Sequence, residues 1–127
     1  MSHDVLAFGE ALLRLQPEGD GRIEDAAQRF GSRVIVLTRG GEGGLSLDED
    51  GVRCASVFPS TRVDRIGAGD AFSAGFLYAT LTGWRERALD YGPACAALKR
   101  SLPGDTLLTT PEEVERVVAR EVREIRR

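Results

Sequence analysis

Asp64-Arg65-Ile66-Gly67-Ala68-Gly69-Asp70-Ala71-Phe72 passes through a small-residue turn straight into an apolar helical pattern. The turn, Gly67-Ala68-Gly69, delivers one carboxylate, Asp70, at the helix start. The first N–H groups of a helix have no partner inside it, and the dipole adds partial positive charge there. Such an end attracts phosphate, and glycines let the main chain approach an anion without a Cβ in the way. An acid beside phosphates would repel them. Its presence makes sense if it takes a proton from an attacking hydroxyl, which points to phosphoryl transfer to an alcohol. The plainer reading is a Gly-rich turn before a helix, with Asp70 compensating the dipole.

Working upstream, Arg33 to Thr38 is a compact β-branched run and predicts a strand. It ends in Arg39-Gly40-Gly41-Glu42-Gly43-Gly44. Leu45 to Leu47 starts a second strand, Asp48 to Gly51 reads as a hairpin turn, and Val52 to Val57 as the partner strand. Pro59 closes that unit. Nearer the start, Val5 to Phe8 and Leu12 to Leu15 read as short strands, and Arg22 to Phe30 is weakly patterned.

Downstream, Asp70 to Thr82 is apolar on nearly every face and predicts a buried helix stopped by Gly83. Trp84 to Lys99 predicts a second helical region, interrupted or kinked near Gly92-Pro93. Ser101 to Asp105 reads as a loop. Thr110-Pro111-Glu112-Glu113 is a strong helix start: Thr at the N-cap, Pro at the first helical position, Glu three residues after the cap. Val114, Val117, Val118, Val122 and Ile125 form one apolar stripe, followed by arginines suited to the C-terminal dipole.

The 127 residues suffice for one modest domain, with 42% hydrophobic and 29% charged residues. A net charge of −3 argues against a general nucleic-acid binder. No apolar run of membrane-spanning length is present, and Met1-Ser2-His3-Asp4 does not begin a secretory leader. The expectation is a cytoplasmic protein with no membrane partner, its Cys54 and Cys95 reduced. With His3 as the single histidine, a zinc site is not expected.

Asp-x-x-Gly-Ala-Gly-Asp-Ala-Phe, continued by Ser73-Ala74-Gly75-Phe76, closely resembles the C-terminal signature of the ribokinase-like (PfkB) carbohydrate kinases. The resemblance covers roughly residues 31 to 120, and residues 4 to 25 are similar to the family's beginning. Leu102-Pro103-Gly104-Asp105, with Gly9-Glu10-Ala11-Leu12-Leu13-Arg14-Leu15, is most similar to the 2-keto-3-deoxygluconate kinase branch. The implied fold is a Rossmann-like three-layer α/β/α of the ribokinase type, one domain over 1–127. It is truncated to mainly the C-terminal nucleotide-binding half, with N-terminal strands in 1–25 and the nucleotide-binding portion in 31–127.

The resemblance implies Asp70 as general base toward a sugar or sugar-acid hydroxyl attacking ATP. It implies an anion hole from the N–H groups of Gly67, Ala68, Gly69 and Asp70, and a nucleotide border of Thr38, Arg39, Gly40, Gly41, Gly43 and Gly44. This segment is not a P-loop, since GxxxxGK[ST] is missing. ATP and Mg²⁺ are the implied cofactors. Asp64, with the Ile66 main chain, matches a monovalent-cation position, and Asp105 one that approaches substrate. Residues read alone allow plainer roles: Gly40 to Gly44 as a strand connection, Asp64 as a turn cap, Asp105 as a turn former, Arg14 and Arg39 as surface cations. Pro93 stands where many relatives carry an Asn near the nucleotide, so that contact is not carried over.

The family's full fold is more than twice this length, and the match jumps within Arg22 to Arg33. The Gly-Gly substrate segment, the Asp-x-Asn-x-Arg strand, the Asn-x-x-Glu magnesium motif and most of the parallel sheet have no counterpart. Exposed strand edges follow, which a homo-oligomer or a complementary piece would cover. The leading expectation is a 2-keto-3-deoxygluconate kinase-like enzyme. Kinases of ribose, fructose or adenosine are alternatives within the class. A non-catalytic nucleotide-binding remnant or interaction module from an internally deleted kinase is the alternative outside it.

Overall fold

A computed structural model of the chain describes residues 31–125. The expected strands at Val5 to Phe8 and Leu12 to Leu15, and the segment Arg22 to Phe30, lie outside the described residues. Three strands, β1 (Ile35–Thr38), β2 (Gly44–Asp48) and β3 (Gly51–Cys54), form an antiparallel sheet in the order β1-β2-β3. The register pairs Ile35 with Leu47 and Thr38 with Gly44, then Leu45 with Cys54 and Asp48 with Gly51. β1 is shorter than the Arg33 to Thr38 run, and β3 ends at Cys54 rather than Val57. A 3₁₀ turn over Gly40–Glu42 joins β1 to β2.

β2 alternates buried and half-buried residues, turning Gly44, Ser46 and Asp48 inward. Asp48 survives there because it is paired. Its carboxylate accepts from Arg53, from Arg85 at 3.4 Å, and from the Asp50 N–H at 3.0 Å. Burial works against its ionisation, but these donors outweigh that and hold its pKa below the ordinary value.

Three helices follow: α1 (Ala68–Leu81), α2 (Ala88–Arg100) and α3 (Pro111–Ile125), with a 3₁₀ turn over Arg85–Arg87. α1 is not buried on every side, as its composition predicts. Ala71, Phe72, Gly75 and Ala79 are buried, while Tyr78 and Leu81 are exposed, Leu81 to 69%. The buried set repeats every four residues, so one face meets α2. A Cβ at Gly75 would lie 2.7 Å from both Cys95 Sγ and the Tyr91 carbonyl oxygen. One at Gly92 would lie 3.1 Å from the Phe72 ring. These two glycines set the depth of the α1–α2 contact.

α2 runs unbroken through Pro93, contrary to the expected interruption. The proline forfeits one helix hydrogen bond, and Gly92, Pro93 and Ala94 are all buried. The buried face of the helix at this point packs against α1, with Gly92 beside Phe72. α1 itself ends as expected: Gly83 takes φ +87° and the Trp84 N–H reaches back to the Ala79 carbonyl at 2.8 Å.

α3 begins with the reciprocal cap that Thr110 and Glu113 predict. The Glu113 N–H donates to Thr110 Oγ1 at 3.3 Å, and the Thr110 N–H to Glu113 Oε2 at 3.0 Å. Val114 and Val118 join the core with Phe58, Ala79, Tyr91 and Ala94, and Val117 packs at its edge. Both cysteines are free: Cys54 is exposed, Cys95 is buried and its thiol is pushed up to about 11 by desolvation. No helix among the described residues is long and apolar enough to cross a membrane.

Candidate active site

The start of α1 is built by Gly67. Its φ of +78° is left-handed, a conformation that costs little only without a Cβ. The turn before it is fixed by Asp64, whose Oδ1 accepts the Ile66 N–H at 3.0 Å. That contact is the turn-capping role open to Asp64 from the residues alone. Chain reversal at Gly67 then sets the first N–H groups of α1 at the open end of the helix.

Of the four amides expected to face an anion, one is engaged. The Ala68 N–H donates to the Arg65 carbonyl at 3.2 Å. Among the described residues, the N–H groups of Gly67, Gly69 and Asp70 donate to no acceptor. Asp70 is exposed in the first turn, not buried against protein. A Cβ at Gly69 would meet nothing within 4 Å. Glycine there serves clearance rather than packing.

A cleft of about 550 Å³ opens beside this helix start. One wall is Thr38, Gly40 and Gly43, from the end of β1 and the turn after it; the other is Ala68, Gly69 and Phe72 of α1. The strip Arg62–Arg65 and, from α2, Ala96 and Arg100 complete it. Two segments separate in sequence, both singled out from motif reading, thus border one cavity.

The remaining expected residues divide. Gly44 does not line the cleft: a Cβ there would lie 2.8 Å from the Leu37 carbonyl and 3.5 Å from Phe72, so it is a packing glycine between sheet and α1. Arg39 is exposed and its guanidinium donates to the Glu42 carbonyl at 3.3 Å. The surroundings of Gly41 lie outside what the structure describes. Asp105 is exposed, its carboxylate accepting from Thr106 Oγ1 at 3.2 Å, and its main chain abuts Gly67.

Sequence reasoning missed Arg62, Arg65 and Arg100 on the cleft wall. The two basic residues flanking Asp64 were visible as charge, but nothing in spacing told which way they face. Arg100 is brought to the cleft by the packing of α2. Among the described residues no group of three His, Cys, Asp or Glu side chains is arranged to hold a metal ion.

Comparison with known proteins identifies the family and the fold. The profile described as pfkB family carbohydrate kinase matches residues 8–112. A 2-dehydro-3-deoxygalactonokinase from Haloferax volcanii is 41% identical over 120 residues, covering 91% of this chain and 38% of the relative. The crystal structure of a nucleoside kinase from Methanocaldococcus jannaschii, an archaeal member of the ribokinase family, superposes with a TM-score of 0.71 at 26% identity. It covers 79% of this chain and 34% of that one. The 2-dehydro-3-deoxygluconokinase of Thermotoga maritima shares the fold, with a TM-score of 0.69 at 21% identity over 76% of this chain and 32% of that one. The chain therefore spans under two fifths of the length of these relatives. With the ribokinase-like fold and the profile match over most of its residues, the chain belongs to the pfkB family of carbohydrate kinases.

Proposed function

We propose that this chain carries the nucleotide-binding and phosphoryl-transfer part of an ATP-dependent kinase for a sugar or sugar-acid hydroxyl, of the 2-keto-3-deoxygluconate type. The observation that carries the reading is the single cleft bordered by both Thr38–Gly43 and the Ala68–Gly69 helix start, with Asp70 exposed in the adjoining turn. In this reading Asp70 takes the proton of the sugar hydroxyl as that oxygen bonds to the terminal phosphorus of ATP and the bond to the leaving diphosphate breaks. The N–H groups of Gly67, Gly69 and Asp70 hold the charge on the transferring phosphoryl oxygens. The Ala68 N–H, held by Arg65, plays a smaller part.

Thr38, Gly40 and Gly43 border the nucleotide, and Asp105 borders the sugar side of the helix start. Asp64 and the Ile66 main chain mark the place for a monovalent cation, with one Asp64 oxygen already committed to Ile66. Mg²⁺, which would neutralise polyphosphate charge, finds no cage of three acidic, His or Cys side chains among the described residues. No step is assigned to it, and it would enter with the nucleotide.

A second reading rests on a specific observation. The chain spans 38% of its Haloferax relative and lacks the sugar-reading segments of the family, and positioning supplies much of the rate in phosphoryl transfer. A nucleotide-binding remnant without turnover fits that loss. Calorimetric titration with ATP·Mg²⁺, together with a coupled assay on 2-keto-3-deoxygluconate, separates the readings. Turnover abolished by Asp70→Asn establishes the kinase. Binding without turnover establishes the remnant, and absence of both overturns the nucleotide reading.

A further inference from the structure

The cleft carries a charge imbalance that the helix start does not account for. Arg62, Arg65 and Arg100 line it, and among the described residues Asp64 is the one acid on its wall, in a chain of net charge −3. Arg53 and Arg85 meet the Asp48 carboxylate, and Arg87 meets Glu115. Among the described residues Arg62, Arg65 and Arg100 make no such pair.

Arg100 adds a second observation, one it shares with the ion-paired Arg53. Its Nε is buried and has no hydrogen-bond partner among the described residues. A buried donor left without an acceptor costs free energy, and the cost is larger for a charged group. Its place at the C-terminal end of α2 suits a cation, yet the helix dipole gives Nε no acceptor. The three arginines also share a frame. The Arg100 carbonyl accepts the N–H groups of Val63 at 2.8 Å and Asp64 at 3.2 Å, tying the Arg62–Arg65 strip to the end of α2.

Resting on the nucleotide reading above, we infer that Arg100, with Arg62 and Arg65, is the polyphosphate grip of this cleft. The guanidinium fork matches phosphate oxygens, and its charge persists at any working pH. A sugar-acid carboxylate brings a single negative charge to three cations. A triphosphate brings several negative charges to them. Arg100 is a binding residue here, acting on ATP rather than on the hydroxyl.

The test is calorimetric titration of the full chain with ATP, adenosine and inorganic tripolyphosphate at low and high salt. Wild type is expected to bind tripolyphosphate in competition with ATP. Arg100→Met weakens ATP and tripolyphosphate binding by roughly 10- to 100-fold and leaves adenosine binding unchanged. It also flattens the salt dependence, while Arg100→Lys restores only part of the affinity. Arg65→Gln, at an exposed position, shifts binding in the same direction and decides the matter if Arg100→Met does not fold. Wild-type ATP affinity in both Arg100→Met and Arg65→Gln overturns the grip and leaves the nucleotide reading standing. Wild type that binds neither ATP nor adenosine overturns both.

Discussion

A Cβ placed on Gly67 would lie 2.0 Å from the carbonyl oxygen of Asp105. The loop after α2 thus presses its main chain onto the residue that turns the chain into α1. Two pieces of sequence nearly forty positions apart fix the helix start between them. Lys99, fully buried, anchors the near end of that loop by donating Nζ to the Leu102 carbonyl at 3.3 Å. Gly67 is doubly constrained, by φ +78° and by the Asp105 carbonyl. Gly67→Ala is therefore expected to cost about 2–4 kcal/mol, from the left-handed penalty plus overpacking. A shift of the urea midpoint, at unchanged slope, checks this. A variant as stable as wild type would mean that the Asp105 loop does not rest on Gly67.

Gly69, two residues on, should behave in the opposite way. Its Cβ position is open and its φ is not left-handed. Within the first turn of α1, Gly69→Ala is expected to raise stability by about 0.5–1 kcal/mol, because alanine loses less chain entropy. The same methyl group projects into space beside the cleft and should weaken ATP binding. Thermal melts and calorimetry on one sample read both effects. Higher stability with undiminished affinity would place the phosphate elsewhere.

α3 is held to α2 by Glu115. It accepts both arms of the Arg87 guanidinium, at 2.7 and 2.8 Å, and the hydroxyl of buried Tyr91. The bonds from Arg87 and then Tyr91 hold the Glu115 carboxyl below its ordinary value of 4.5. Its contribution is present above that value and lost as pH falls through the depressed one. Glu115→Gln should flatten this acid limb of stability. Glu115→Ala at neutral pH should cost about 1 kcal/mol, the low end for a lost charged bond, because the carboxylate is partly exposed and screened. Denaturant midpoints across the acid range check the sign. Stability that rose on acidification in wild type would contradict it.

Local chemistry was the legible part of this fold. The Thr110–Glu113 cap, the Asp48–Gly51 hairpin turn and the Gly83 stop each depend on residues close in sequence, and each stands where spacing puts it. What depends on distant partners was not legible. The apolar content of α1 predicted burial on every side, but burial is confined to the face it turns to α2 and the sheet, leaving Leu81 exposed. At Pro93 an interruption or a kink was expected; the helix is continuous there, with Gly92 seated against Phe72. At the candidate site the two glycine segments were legible as motifs. Gly44 is bound to packing rather than to the cleft, and Arg100 reaches the cleft only through the register of α2 against the Val63–Asp64 main chain.

Asp70 offers the sharpest separation of chemistry from structure. It is exposed, and among the described residues it makes no ion pair and no side-chain hydrogen bond. Its structural value is its charge near the N-terminus of α1, worth about 0.3–1 kcal/mol. Asp70→Asn keeps the shape and removes the base. Stability should fall by no more than that amount, while any turnover on 2-keto-3-deoxygluconate should fall by roughly 10²- to 10⁴-fold. ATP affinity should hold or rise, since a negative charge beside the phosphates is removed. That last sign is the discriminating one, because a residue serving only to support the helix would lose affinity along with stability. A variant that loses turnover, stability and ATP affinity together would return Asp70 to the role of dipole compensation.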